Sequence, residues 1–177
     1  MAVTIVATVG SASANSFVTL AEAATYAETR LNASTWETDA TTDTKNRALV
    51  EATRWLSVLH WQGARVDSTQ ALSWPRAWAP NPDSPNLAFN YYDTDVIPQR
   101  VKDATCELAF QFVKAGTTDL AALDPSVGVI EKTIDVITTR WNGFQKPSGL
   151  SAYPSVLRLI KPLLDGVSAS QLRVSRA

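Results

Sequence analysis

The sequence predicts a mainly α-helical fold: a small bundle of about four helices with minor β strands, a long loop rich in proline and tryptophan, and an extended C-terminal arm. Three observations favour this fold class. Apolar residues recur at helical spacing in four segments. Proline and glycine stand at the ends of those segments. The chain of 177 residues is long enough for one core. We therefore expect one helical domain over residues 1–167 and an arm over residues 168–177.

The first two helices are predicted from their start signals. Near Thr19 the pattern T-x-x-E is typical of a capping box. A second helix is predicted over residues 43–60, capped by Asp43 or Thr44, and Gly63 is expected to end that segment. The polar residues 32–42 between the two helices predict a turn. The apolar face expected on the first helix comprises Leu20, Ala23, Ala24, Ala27 and Leu31.

The other two helices are bounded by proline and glycine. Pro98 is expected at the first position of the third helix, and Gly116 is expected to stop it. A fourth helix is predicted over residues 154–164, with Pro162 kinking or ending it because proline lacks the amide donor of the helical ladder.

Three segments between the helices have other patterns. Residues 2–9 alternate valine and isoleucine with threonine, which predicts a short strand. Residues 127–140 are rich in valine, isoleucine and threonine and predict one long strand or two shorter ones. Residues 64–97 contain four prolines and little periodicity, and a loop of that length is usually functional, ordered by a partner, or mobile.

The charge distribution is uneven along the chain. Sixteen basic and seventeen acidic residues give a net charge of −1, which does not favour binding of nucleic acid through overall charge. Residues 140–177, however, contain six basic residues and one acidic residue, a net charge of +5. Two interpretations remain open: a solvated surface, or a basic arm that docks on an acidic partner or lies near DNA.

The residues that carry chemistry are scarce. With one histidine and one cysteine, the sequence does not favour a structural zinc site, and we expect no metal and no cofactor. Cys106 lies in a predicted helix and is expected to be a buried, inert thiol, while His60 is expected to end the second helix, where its charge would suit the dipole. No G-x-S-x-G or phosphate-loop pattern occurs, and no stretch approaches the length of a membrane span. We therefore expect neither an enzyme nor a membrane protein.

Residues 61–78 are the most unusual part of the sequence, with three tryptophans and two arginines. Aromatic platforms beside cations are typical of sites for single-stranded nucleic acid, and such a site would centre on Trp74, Arg76 and Trp78. Alternatively, the tryptophans pack the loop onto the helices, with the arginines stacked on them or paired to acids. The near-neutral net charge favours packing.

Three blocks of this sequence together resemble a known family. They are residues 14–26 (ANSFVTLAEAATY), residues 48–76 with the pieces RWL, WQGARV and QALSWPR, and residues 97–109 (IPQRVKDATCELA). This combination resembles the small head–tail connector, or adaptor, proteins of long-tailed phages, whose relatives often carry the label DnaT-like single-stranded DNA-binding protein. The resemblance covers residues 1–112 and 172–177, while residues 81–95 depart from it in lacking an Asp-Gly turn.

The resemblance implies a structural virion protein of the neck, assembled in the host cytoplasm. Such adaptors form a homo-oligomeric ring, usually of twelve, beneath the portal protein, extend the DNA channel without reading its sequence, and offer a docking surface to a stopper or tail-terminator protein. Trp74, Arg76 and Trp78 would then form an interface on the loop, or in the alternative contact single-stranded DNA as a DnaT-like module. The arm residues expected to bind the portal or a neighbouring subunit are Gln171, Leu172, Arg173, Val174 and Arg176.

Overall fold

A computed structural model describes residues 2–31, 33–85, 90–116, 131–134, 137–140 and 149–166. The protein is mainly helical, as the sequence predicts. The described residues contain four α-helices: α1 (Leu20–Glu28), α2 (Thr42–Ser57), α3 (Gln99–Ala115) and α4 (Pro154–Ile160). Two antiparallel strand pairs accompany them: β1 (Ala64–Arg65) with β2 (Arg76–Ala77), and β3 (Glu131–Ile134) with β4 (Ile137–Arg140). Shorter helical turns are a π-helix at Thr35–Asp39 and 3₁₀ turns at Gly149–Ala152 and Lys161–Leu163.

Helix α3 lies at the centre of the core and packs against both α2 and α4. Its buried residues surround most of its circumference, from Val101 to Phe112. Three aromatic rings join the three helices: Trp55 of α2 lies 5.4 Å from Phe112 of α3, and Tyr153, which precedes α4, lies 5.7 Å from Phe112. The rings of Trp55 and Tyr153 also lie 6.0 Å apart. Because such rings bury large apolar areas, this cluster fixes α2 and the start of α4 against α3.

The capping box predicted for α1 is confirmed. The amide of Glu22 donates to the Thr19 hydroxyl over 3.2 Å, and the amide of Thr19 donates to the Glu22 carboxylate over 2.7 Å. The predicted buried face is only partly right. Ala23 and Ala27 are buried, but Ala24 is exposed and Leu31 is 84% exposed. Leu31 lies beyond the end of α1 at Glu28, so helical spacing no longer places it on the buried face.

Helix α2 begins and ends earlier than predicted. Its cap is Thr41, whose hydroxyl accepts from the Thr44 amide over 3.2 Å. Asp43 does not cap the helix because its carboxylate accepts from the Val3 amide over 2.9 Å. The helix ends at Ser57, so Gly63 does not end it but lies in the following turn with φ +74°.

Two local predictions are wrong. Residues 2–9 form no strand, because amides and carbonyls of this segment bond to side chains instead: the Val6 amide donates to Asn15 Oδ1, and Asn46 donates to the Val3 carbonyl, each over 2.8 Å. The predicted turn before α2 contains the π-helix, which buries Trp36 with its ring 4.4 Å from that of Phe110. A large aromatic in a polar segment thus overrides the turn signal.

The boundaries of α3 and the start of α4 agree with the sequence to within a residue or two, whereas α4 ends four residues before its predicted end at residue 164. Pro98 is the cap of α3 rather than its first helical residue, and Gly116 ends α3 with φ +67°. Strands β3 and β4 confirm the two-strand alternative at residues 131–134 and 137–140, while residues 127–130 and 135–136 lie outside the described part. Helix α4 ends at Ile160 and passes into the 3₁₀ turn that contains Pro162, as predicted.

Candidate functional site

The long loop between α2 and α3 is ordered by short antiparallel pairings. Strands β1 and β2 pair Ala64 with Ala77. Further along, the Tyr92 amide donates to the Ala79 carbonyl over 2.9 Å, and Pro80 forms a bridge with Tyr91. The loop therefore presents a defined surface rather than an irregular excursion.

Trp74 anchors this loop in the core. Its side chain is 1% exposed, and its ring makes edge contacts with Trp61 at 5.6 Å and with Tyr92 at 6.2 Å. A base cannot stack on a ring that is already enclosed. The structure therefore favours the packing interpretation for this residue and removes Trp74 from any nucleic-acid platform.

Arg76 ties the same loop together through its guanidinium group. It donates to the carbonyls of Gln62 at 2.8 Å, Gly63 at 2.5 Å, and Trp61 and Ser73, each at 3.2 Å. Neither of the two interpretations of the sequence, stacking or pairing with an acid, describes this arrangement. The cation satisfies backbone acceptors, which costs less than leaving them buried and unpaired.

Gln70 is a further anchor that the sequence analysis missed. It is 2% exposed, its carbonyl accepts from the amides of Val66 and Asp67, each at 3.1 Å, and its amide donates to the carbonyls of Leu72 and Pro75. A buried glutamine whose amide is paired in this way fixes the loop conformation. A single polar residue in a polar loop carries no pattern that could have revealed this role.

Trp78 differs from the other two residues because its side chain is 69% exposed. Its backbone has φ +56°, a strained conformation for a residue other than glycine. The backbone of Gly63 lies against it, and a Cβ atom at position 63 would come within 2.8 Å of the Ala79 amide nitrogen. The buried anchors thus hold a large apolar ring out in solvent, in a conformation that it would not adopt unaided.

Trp78 is continuous with other exposed apolar residues. Trp78 and Pro80 are exposed and flank the buried Ala79, so both lie on the outer side of the loop. Tyr91, which is 52% exposed, is the partner of Pro80 in the bridge. We call Trp78, Pro80 and Tyr91 the aromatic strip. Tyr91 could not be assigned to this surface from the sequence, because only the pairing across the loop places it opposite Pro80. Pro80, two residues from Trp78, carries no signal beyond its effect on the backbone.

The charges around the strip are mainly acidic. Residues 61–97 contain two arginines and four aspartates, a net charge of −2. The four acids are Asp67, Asp83, Asp93 and Asp95. Arg76 is partly buried, and burial is the main cause that lowers its pKa. The other cation, Arg65, acts on Asp67, whose pKa is lowered mainly by a hydrogen bond from the Thr69 amide. An acidic surround of this kind repels a phosphate backbone.

Asp83 adds a fixed contact at the edge of the loop. Its carboxylate accepts two hydrogen bonds from Arg100 of α3, at 2.5 and 2.7 Å, and this bonding holds the pKa of Asp83 below its ordinary value. Asp93 and Asp95, by contrast, are exposed and take part in none of the ion pairs between the described residues. These two carboxylates supply the negative charge that faces solvent close to Tyr91.

The other candidate residues show no arrangement for chemistry. Cys106 is 2% exposed, and burial raises the pKa of its thiol to about 12, which confirms the predicted buried cysteine. His60 is exposed and lies beyond the end of α2, so its predicted place at the helix end is wrong. Within the described ranges no group of histidine, cysteine and carboxylates could hold a metal, and no helix is long and apolar enough to cross a membrane.

A groove of about 620 Å³ lies between the N-terminal segment, α2 and the end of α3. Its charged lining residues are Arg47, Glu51 and Arg54, of which Arg54 pairs with Glu51 at 3.1 Å and Arg47 with Asp43 at 2.7 Å. Because these arginines are paired with acids, the groove has no surface of predominantly one charge. It is therefore a weaker candidate for a binding site than the strip. The predicted arm residues lie outside the described part of the chain.

One comparison with known proteins gives a match. Residues 1–177 match the profile of a family described as "Putative DnaT-like ssDNA binding protein". This match extends over the whole chain, including the segments between the three blocks quoted above. Neither the curated proteins nor the solved structures give a significant match.

Proposed function

The chain belongs to this DnaT-like family, and from that premise we propose that it acts as a structural subunit that docks other proteins through the aromatic strip. The observation that carries the proposal is Trp78, a tryptophan 69% exposed in a strained conformation. Exposed aromatics on a rigid support are typical of the few residues that dominate a protein interface. The acidic surround of the strip suits a protein partner better than a nucleic acid.

The finer proposal is a head–tail adaptor of a tailed phage. Its support is the resemblance of the three sequence blocks, together with a loop whose buried anchors hold Trp78 exposed at the surface. In this role the chain forms a ring beneath the portal protein and offers a surface to a stopper or tail-terminator protein. Ring closure needs two further, mutually complementary surfaces on each subunit, and the strip is the surface proposed to meet the portal.

The first prediction concerns Trp78→Ala in the full chain, mixed with the portal protein from the same genome. Sedimentation should give a complex with the wild-type chain, and electron microscopy should show a ring of it on the portal. Removing a central interface aromatic should weaken that complex at least tenfold, which corresponds to about 1.4 kcal/mol. Trp78 is exposed, so the substitution should leave the fold intact.

Leu31→Ala is the matched control, because Leu31 is 84% exposed but lies at the end of α1, outside the loop. It should leave the affinity for the portal within about twofold of the wild type, given the small effect of surface changes away from interfaces. Absence of any complex between the wild-type chain and the portal would overturn the adaptor proposal. An equal loss in the two variants would remove the strip from it.

Binding of single-stranded DNA is a second candidate, and the family match favours it. Among Trp74, Arg76 and Trp78, only Trp78 has a ring or charged group that a DNA strand could contact. Stacking of one base is worth about 1–3 kcal/mol, so this candidate requires Trp78→Ala to weaken the binding of a labelled oligothymidine at least fivefold. It also requires affinity that falls steeply between about 50 and 200 mM salt.

We expect fluorescence anisotropy to show no oligothymidine binding that depends on Trp78, since the loop carries a net charge of −2. Tyr91→Ala should be measured beside it, because a strand that crosses the strip would contact both rings. Salt-sensitive binding that both substitutions weaken would replace the adaptor proposal by the DNA-binding one.

A further inference from the structure

We propose that the aromatic strip is also the docking site of the chain's own C-terminal arm, residues 168–177. This inference rests on the proposed function, since it makes the arm a competitor for the same surface. Three properties of the chain favour this occupant: where the arm begins, how its apolar residues are spaced, and its charge.

The arm begins beside the base of the loop. The Asp165 amide donates to the His60 carbonyl over 2.8 Å, and Leu164 forms an antiparallel bridge with Trp61. Gln62 also donates its side-chain amide to the Leu164 carbonyl over 3.0 Å. The described chain therefore reaches Gly166 next to the segment that leads into β1, and the backbone of Gly63 in that segment lies against Trp78.

Eleven residues follow Gly166, and they can span at most about 36 Å. That length is ample for a contact that starts at the base of the loop. A short tether raises the effective concentration of the arm at the strip to the millimolar range. At that effective concentration, even a weak contact forms within one chain in preference to the same contact between two chains, whose concentration is only micromolar.

The sequence of the arm complements the strip. Leu172 and Val174 are two residues apart, so an extended segment presents both on one side, where they can meet the exposed rings of Trp78 and Tyr91. Arg173 and Arg176 are the charged residues of the arm, which contains no acid. Asp93 and Asp95 carry the opposite charge close to Tyr91, so apolar and ionic contacts favour the same occupant.

Disulfide trapping tests this contact directly, in the full chain carrying Thr94→Cys and Ser175→Cys, since Thr94 is exposed between Asp93 and Asp95 and both sites leave the contact residues themselves intact. Cys106 is 2% exposed and should not interfere. Under mild oxidation at low micromolar concentration, we expect an intramolecular disulfide, seen as a faster-migrating monomer on a non-reducing gel. The control pair is Leu31→Cys with Ser175→Cys, which reports the rate at which a free tether meets an exposed thiol. The first pair should close at least tenfold faster than the control.

Charge exchange then tests the ionic part. Arg173→Glu with Arg176→Glu should slow closure of the first pair to the control rate, and Asp93→Arg with Asp95→Arg in the same chain should restore it. Equal rates for the two cysteine pairs would overturn the inference, and so would a product that is mainly a cross-linked dimer, since the arm would then dock on another copy.

The same variant separates this inference from the proposed function. If the strip docks the portal, the oxidised chain should lose portal binding and recover it on reduction. Rapid closure with unchanged portal binding would leave the arm contact standing and refute the docking role of the strip. Slow disulfide formation, together with portal binding that depends on Trp78, would refute the arm contact and leave the docking role of the strip standing.

Discussion

Trp74→Ala should destabilise the protein by about 3–5 kcal/mol, the range for truncating a large buried aromatic. Trp74 is 1% exposed and contacts the rings of Trp61 and Tyr92, so its loss leaves a cavity where the loop meets the core. Equilibrium unfolding in urea measures the effect. The transition midpoint should fall, and the slope should stay unchanged if unfolding remains two-state.

Trp78→Ala is the matched control, because the same residue type is removed four positions further along. Trp78 is 69% exposed, so the free energy of unfolding should change by less than about 0.5 kcal/mol. Equal destabilisation by the two substitutions would contradict the division into a buried anchor and a displayed ring. If Trp74→Ala loses binding to a partner or to DNA while Trp78→Ala does not, the cause is unfolding of the loop and not the loss of a direct contact.

The elements that the sequence predicts well are those determined by near neighbours. The capping box at Thr19 and Glu22 depends on residues three apart, and Gly116 and Pro162 end helices through their own backbone chemistry. The strand predicted over residues 2–9 fails for the complementary reason. Its pattern suits a strand, but side chains such as Asp43 and Asn15, from other segments, take its hydrogen bonds.

The candidate site could be located from the sequence but not resolved. Trp74 and Trp78 lie in the same W-P-R-A-W run, and no local property distinguishes the ring that is buried from the ring that is displayed. The ring of Trp74 packs against Tyr92, and the backbone of Trp78 lies against Gly63. Each of these contact residues is distant in the chain from the tryptophan that it contacts. Arg76 was noted for its charge, whereas its role is to bind four carbonyl groups.

Arg30→Met should destabilise the protein by about 3 kcal/mol at pH 7, because it leaves the carboxylate of Glu107 buried without its partner. Arg30 Nε and Nη2 donate to the two carboxylate oxygens of Glu107 over 2.6 and 2.8 Å, and the guanidinium lies 5.4 Å from the ring of Phe110. The side chain of Glu107 is 9% exposed and that of Arg30 is 22% exposed. Because Arg30 keeps this access to water, we expect the lower end of the usual 3–5 kcal/mol range.

The destabilisation caused by Arg30→Met should depend on pH, and the pKa of Glu107 determines the direction of that dependence. Hydrogen bonding from Arg30 is the main cause that lowers the pKa of Glu107 below its ordinary value of 4.5. The stabilisation is therefore complete above pH 4.5 and is lost as the pH falls through the lower pKa of the folded state. In Arg30→Met that pKa should rise, because only the hydrogen bonds from Gln111 and Ser155 then oppose the effect of desolvation on the carboxylate. Urea unfolding of both proteins should thus show a gap that is largest near pH 7, begins to narrow as the pH falls through the raised pKa of Glu107 in the variant, and narrows further below pH 4.5 as the wild type loses its own stabilisation.

The double variant Arg30→Met/Glu107→Leu separates the ion pair from the packing around it. Replacing both partners by apolar residues of similar size removes the unpaired charge, so its free energy of unfolding should return to within about 1 kcal/mol of the wild type and show no comparable pH dependence. A double variant as unstable as the single one would indicate that the packing of Arg30 on Phe110, and not the buried charge, stabilises this junction of α1 and α3. Recovery would instead mean that the ion pair adds little net stability over an apolar pair of similar size.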